Sequence, residues 1–294
     1  MQGFARRFSM RASMPLALII SSHVAASRVG GEAQALALAP FKVDAMVVPT
    51  VLYGRHPGWG PPGGAAVPVE AIDGVLDGIE ANGMFAQTDL VITGYFAGAP
   101  QVRAAARAID AVRAAPRDIS ARKPFVMVDP TMGDAGKGLY VPPDVAEALI
   151  ADLVPRADLV ACNTWELERL TGAETRTPTQ ALNAARLLGK PCLVSSVQRE
   201  TEIGVVYADR REAWLAAHQR VESAPKGTGD LLTALYGAAV LDGLSPSYAL
   251  ARAVGGVAET ISAANMWKAP ELPLVAMAQR LKATSPHVRM ERLA

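Results

Sequence analysis

Cysteine and histidine are scarce in this sequence, and the few present are scattered. Cys162 and Cys192 sit inside the apolar runs DLVACN and PCLVSSV, where a reduced, buried thiol is the ordinary state. His23, His56, His218 and His287 keep no spacing, with each other or with the cysteines, that matches a zinc site. A disulfide framework and a metal cluster are thereby set aside. Charge of one sign is missing too: 29 Lys and Arg against 28 Asp and Glu leave a net charge of +1. No basic face points to nucleic acid and no acidic tail to disorder. Nor does any run approach the roughly 18 consecutive apolar residues of a membrane-spanning helix. The expectation is a soluble protein whose partner is a small molecule.

The length of 294 residues suits one large α/β core. Residues 1–14 carry Arg6, Arg7 and Arg11 with no acid, and the apolar run after them, Leu16 to Ile20, is short for a signal-peptide core. The expectation is a disordered tail over 1–14, or a true start at Met14, followed by a single domain over 15–294.

What is present is a rhythm. Short runs rich in Val and Ile alternate with Ala-rich segments of helical length, as βαβ units around a mainly parallel sheet require. Strands are expected near Leu16–Ile20, Ala45–Val48, Leu90–Thr93, Phe125–Asp129, Leu159–Cys162, Leu193–Ser196 and Ile203–Tyr207. Between them, Val102, Ala105, Ala106, Ile109 and Val112 recur at spacings of three and four, which predicts an amphipathic helix over 101–115. Segments 178–189, 228–242 and 246–265 read the same way. Two stretches dense in Gly or Pro, His56 to Pro68 and Asp134 to Pro143, are expected to be loops, the first a flap over a site.

The strongest local motif is Lys226-Gly227-Thr228-Gly229-Asp230 ahead of the helical run LLTALYGAAVL. Glycines at a helix start let the backbone approach an anion, and free amides together with the helix dipole attract phosphate. Asp230, in the first turn, is placed to take a proton from a hydroxyl attacking that anion. Read alone, the motif is equally a glycine turn with a favourable acid in a first helical turn. Other strand ends carry polar groups as well. Asp129 and Asp134 follow the run FVMV and suit Mg²⁺ or its waters; Asn163 and Glu166 follow DLVAC and suit either a capping box or a metal-bound water; Ser195 and Ser196 end another strand, where hydroxyls meet phosphate or satisfy backbone.

Taken in order, these segments resemble the pyridoxal kinase family of the ribokinase-like superfamily. The resemblance runs from Ile20-Ser21-Ser22-His23-Val24 through Val48-Pro49-Thr50-Val51, His56-Pro57-Gly58 and Thr93-Gly94-Tyr95 to the four segments above. It implies a three-layer α/β/α ribokinase-like fold with a mainly parallel central sheet. It also implies ATP-dependent phosphorylation of the 5′-hydroxymethyl group of pyridoxal by a cytoplasmic homodimer. By the same resemblance Asp230 is the base, and Gly227, Thr228 and Gly229 hold the transferring phosphoryl group. Ser22, Thr50 and His56-Pro57-Gly58 line the substrate pocket, and Tyr95 lies near the phosphates. Asp129, Asp134 and Glu166 stand near Mg²⁺ and ATP, with K⁺ left open as an aid. Asn163, Ser195, Ser196 and the strand around Val221 form the nucleotide side.

Two departures stand out. Gly30-Gly31 replaces the family's usual Gly-Asn pair, and Tyr53-Gly54-Arg55 precedes His56 in an altered flap. A hydroxymethylpyrimidine kinase would share the anion hole and the acids. A non-catalytic B6-binding homologue would share the pocket, but the intact Gly-Thr-Gly-Asp run speaks against it. An oxidoreductase fingerprint fails because Leu232 stands where its third glycine belongs, and GDAGKG is not a P-loop.

Overall fold

A computed structural model describes residues 14–118, 121–221, 224–283, 285 and 287–294. The tail expected over 1–14 lies, apart from Met14, outside the described residues. In chain order the strands are β1 (Leu16–Val24), β2 (Asp44–Tyr53), β3 (Gly64–Ala66), β4 (Leu90–Thr93), β5 (Phe125–Val128), β6 (Gly133–Asp134), β7 (Gly138–Leu139), β8 (Leu159–Asn163), β9 (Cys192–Arg199), β10 (Glu202–Ala208), β11 (Ala213–Gln219) and β12 (Arg289–Arg292). The helices are α1 (Gly30–Leu38), α2 (Val69–Ala81), α3 (Ala99–Ala114), α4 (Pro143–Ala148), α5 (Thr164–Thr171), α6 (Pro178–Leu188), α7 (Thr228–Leu241), α8 (Pro246–Trp267) and α9 (Leu274–Met277).

Ten strands form one sheet in the order β12, β11, β10, β9, β8, β5, β4, β1, β2, β3. The six from β9 to β2 are parallel, and antiparallel strands extend both edges. Successive side chains on a strand point to opposite faces. Along β1, Leu18 and Ile20 therefore enter one apolar layer with α3, while Ala17 and Ile19 enter the other with α1 and α7. Burial on both faces is why these strands read as apolar throughout. Helices α2 to α6 cover one face, and α1, α7, α8 and α9 the other, giving the three layers. No helix is long and apolar enough to cross a membrane among the described residues.

The connections set the site. From β1 the chain passes through α1 on one face to β2, then returns through α2 on the opposite face to β4, on the other side of β1. Such a reversal leaves a crevice at the carboxyl ends of the strands.

Two expectations needed correction here. The two stretches dense in Gly or Pro are only partly irregular: Gly64–Ala66 pairs with Val51–Tyr53, and Gly138–Leu139 with Gly133–Asp134, because a ladder needs only main-chain groups. The expected strand around Val221 lies earlier, at Ala213–Gln219, and Val221 packs against the apolar layer of α7 and α8. Its sequence, AWLAAHQ, lacks the β-branched residues that mark strands.

Candidate active site

The crevice is a cleft of about 680 Å³ reached from the carboxyl ends of the parallel strands. Ser22 comes from β1, Tyr53 from β2, Tyr95 from beyond β4, Asp129 from beyond β5, Asn163 from β8, and Ser195 and Ser196 from β9. One wall is the start of α7, where Gly227, Thr228, Gly229 and Asp230 all face the cleft.

Gly227 is the N-cap of α7 with φ 90°, and a Cβ there would lie 2.2 Å from the Arg28 carbonyl oxygen. Only glycine fits. No side chain caps this helix, and the N–H groups of Thr228, Gly229 and Asp230 have no partner among the described residues. Donors left free at a helix start, with the positive end of its dipole behind them, form an anion site. Burial pushes the Asp230 carboxyl up to about 6, opposed only by the Gly30 backbone N–H. The amide of Gln34, fully buried on α1, donates to Asp230 Oδ1 at 3.4 Å. Close approach of α1 to β1 needs Gly30, which has φ 61° and leaves no room for a Cβ beside Ser22.

Beside this anion site lies an acidic cluster. Asp129 is held well above the usual carboxylate range by burial and by the charges of Glu166 and Asp230, while Thr131 Oγ1 donates to it at 2.8 Å. Glu166, 3% exposed, is pushed up to about 7 by burial. Its oxygens accept from the backbone N–H groups of Asn163 (2.9 Å), Met132 (3.0 Å) and Gly133 (3.4 Å). Asn163 Oδ1 accepts from the Glu166 N–H in return, completing a capping box, and Asn163 Nδ2 donates to the Gly133 carbonyl. Of the two roles open for Glu166, this geometry provides the cap.

Asp134 stands exposed, bonded to the Ala135 N–H. Among the described residues no three acidic, His or Cys side chains converge to cage a metal. The expected trio of Asp129, Asp134 and Glu166 borders the cleft, with Glu166 already held by backbone amides. The cluster fits a hydrated divalent cation: the charges of Glu166 and Asp230 help raise the Asp129 pKa, and a nearby cation relieves such repulsion.

His56, Pro57, Gly58 and Ser22 border the same cleft. His56 Nδ1 accepts from the Gly58 N–H at 2.9 Å, and burial with the Lys226 charge lowers the His56 pKa, which favours the neutral ring. Thr50 differs from expectation. It is fully buried, donates to the Tyr95 carbonyl at 2.7 Å and does not border the cleft. It holds the wall rather than forming it. Ser196 takes φ 64° where the β9–β10 register shifts, an uncommon conformation for a non-glycine residue. Val221 does not border the cleft.

Curated proteins share this sequence over most of its length. A pyridoxine/pyridoxal/pyridoxamine kinase of Bordetella avium is 36% identical over 234 residues, covering 77% of each chain. A pyridoxal kinase of Corynebacterium diphtheriae is 31% identical, covering 83% of this chain and 87% of its own. The chain belongs to the pyridoxal kinase family. The family description phosphomethylpyrimidine kinase also matches, over residues 102–273. Among solved structures, the pyridoxal kinase of Leishmania donovani in complex with ADP and pyridoxine superposes with a TM-score of 0.87 at 25% identity, over 95% of this chain and 99% of that one. The ribokinase-like fold is therefore shared over nearly the whole length.

Within the pyridoxal kinase family the Gly30-Gly31 departure now has a reason. A Cβ at Gly31 would lie 2.7 Å from Val47 Cγ1, so the packing of α1 on β2 takes glycine. Four contributors were not singled out from sequence: Gln34, Lys137, Tyr140 and Thr131. Lys137 was readable as a base in a glycine loop beyond a strand. It faces Lys226, whose pKa falls through burial and that neighbour. Gln34 carried no local signal, since its partner is 196 residues away.

Proposed function

We propose that this protein transfers the γ-phosphoryl group of ATP to the 5′-hydroxymethyl group of pyridoxal, giving pyridoxal 5′-phosphate and ADP for vitamin B6 salvage. The observation that carries the reading is the uncapped start of α7, with Asp230 in its first turn and the N–H groups of Thr228, Gly229 and Asp230 without a partner among the described residues. Pyridoxal is bound between Ser22 and the His56-Pro57-Gly58 flap. Asp230 takes the hydroxyl proton, and the oxygen bonds to the γ-phosphorus as the bond to ADP breaks. The amides of Gly227, Thr228 and Gly229 hold the equatorial oxygens, so catalysis is positioning plus charge stabilisation. Lys137 and Lys226, close enough to lower the pKa of Lys226, favour the polyphosphate between them.

Asp129 and Asp134 are the residues placed to hold Mg²⁺ through its waters, with Glu166 fixing the loop that carries them. Mg²⁺ when bound neutralises charge on the β- and γ-phosphates. The nucleotide lies along Asn163, Ser195 and Ser196. By family we infer a cytoplasmic homodimer, which sedentation of the purified protein by centrifugation and fractionation of cells would test.

The deciding assay measures ATP-dependent phosphorylation of pyridoxal, pyridoxine, pyridoxamine and hydroxymethylpyrimidine, with and without Mg²⁺ and with K⁺ exchanged for Na⁺. Turnover of a B6 vitamer that needs Mg²⁺ is expected. Because of the phosphomethylpyrimidine kinase match, the competing reading is a hydroxymethylpyrimidine kinase, and turnover of that compound alone would establish it.

A further inference from the structure

A second, smaller recess of about 220 Å³ lies apart from the cleft, lined by Phe41, Lys42, Asp242, Arg252 and Lys282. It shares no residue with the cleft. Asp242 caps the carboxyl end of α7, whose amino end carries Asp230. Fourteen helical residues separate the two ends by about 21 Å.

The charges do not balance there. Three cations face one carboxylate, and that carboxylate accepts from Arg252 Nη1 at 2.6 Å. Lys42 and Lys282 make no ion pair among the described residues. Arg252 is only 9% exposed, yet its Nε and Nη2 find no acceptor among the described residues. Its guanidinium lies 4.7 Å from the centre of the Phe41 ring, with the Lys282 ammonium 6.0 Å from the same centre. An aromatic face attracts a cation but offers no lone pair to these N–H groups.

The usual structural use for such cations is to satisfy the carbonyls at a helix end. That use is taken: the carbonyls of Ala238, Ala239 and Val240 accept from the N–H groups of Asp242, Leu244 and Gly243. A buried guanidinium with unspent donors, two unpaired lysines and a recess of this size match one ligand chemistry. Arginine recognises phosphate through its planar fork, and lysine adds point charge. We propose that this recess binds a phosphate group, as inorganic phosphate or as a small phosphate monoester.

The test is calorimetric titration of the full chain with inorganic phosphate and, separately, with glycerol phosphate. A non-hydrolysable ATP analogue with Mg²⁺ is kept saturating, so that the cleft is occupied. One saturable site is expected. In the Lys42→Ala/Lys282→Ala double variant, two exposed changes that leave the fold and the cleft alone, Kd should rise about tenfold or more while pyridoxal phosphorylation keeps its rate. Arg252→Lys, which retains charge but not the fork, should also weaken binding. Tighter binding of glycerol phosphate assigns the site to a monoester, and tighter binding of inorganic phosphate assigns it to the free anion; either supports the site. Absence of saturable binding in the unmodified protein overturns the proposal, as does unchanged affinity in the double variant.

Discussion

Two helices begin at the same cleft, α5 at Thr164 and α7 at Thr228, and they begin in opposite ways. The start of α5 is closed: Asn163 and Glu166 satisfy one another's backbone, and Glu166 also holds the Met132–Gly133 loop. The start of α7 is open, with glycine at the cap and no side chain over its amides. Both carry an acid in the first turn, and both acids are buried enough to be pushed up, to about 7 and about 6. A side chain that reaches back spends the helix start on stability. One that stays free leaves donors for a ligand and a carboxylate to work beside it. The proposed chemistry rests on the open start of α7, while Glu166 of α5 holds the Met132–Gly133 loop.

The sharpest way to break this comparison is Asp230→Asn. Removing the base should lower kcat by about 10²- to 10⁴-fold, while pyridoxal and ATP binding, measured calorimetrically, survive. Unchanged turnover would remove Asp230 from the mechanism.

The pH profile comes next. Asp230 accepts a proton only as carboxylate, so kcat/KM for pyridoxal should fall about tenfold per unit as pH drops below about 6. Stability runs the other way. Asp129, Glu166 and Asp230 are all raised in the fold, so their contribution is fully present below the ordinary carboxylate pKa and is lost as pH rises, through about 6 for Asp230 and about 7 for Glu166. Asp129→Asn should therefore raise Tm more at pH 8 than at pH 5, as thermal melts without nucleotide would show. An equal rise at both would mean Asp129 is not a buried charge.

Gly227→Ala forces a side chain into the left-handed region and against the Arg28 carbonyl. It should cost about 1 kcal/mol or more of stability, and moving the amides should slow turnover at least tenfold. The smallest effect is expected on the closed helix. Asn163→Ala removes a cap worth about 1 kcal/mol, visible in denaturant midpoint, with a change in kcat well below that of Gly227→Ala.

Much of this was legible from local pattern. The parallel strands from β1 to β9 follow from apolar runs, and α3, α6, α7 and α8 from helical spacing, because burial on two faces or one leaves a periodic trace. The edge strand β12, RMER, left none: it is held by Arg289 to Glu202 and Arg199 to Glu291 pairs across the sheet edge. Among site residues, the Gly227–Asp230 run was readable because its spacing is its function. Thr50, expected in the pocket lining, is buried against the Tyr95 carbonyl, and a strand-end hydroxyl reads alike whether it faces a ligand or a backbone carbonyl.

By itself, then, the sequence determined the α/β alternation, the glycine-led start of α7 and the succession of polar strand ends, all properties of neighbouring residues. The tertiary structure alone decided that Asp129, Glu166 and Asp230 share one desolvated space, that Gln34 reaches Asp230, and that α5 is closed where α7 is open. Desolvation and mutual repulsion depend on distances between residues far apart in the chain, and no local spacing records them.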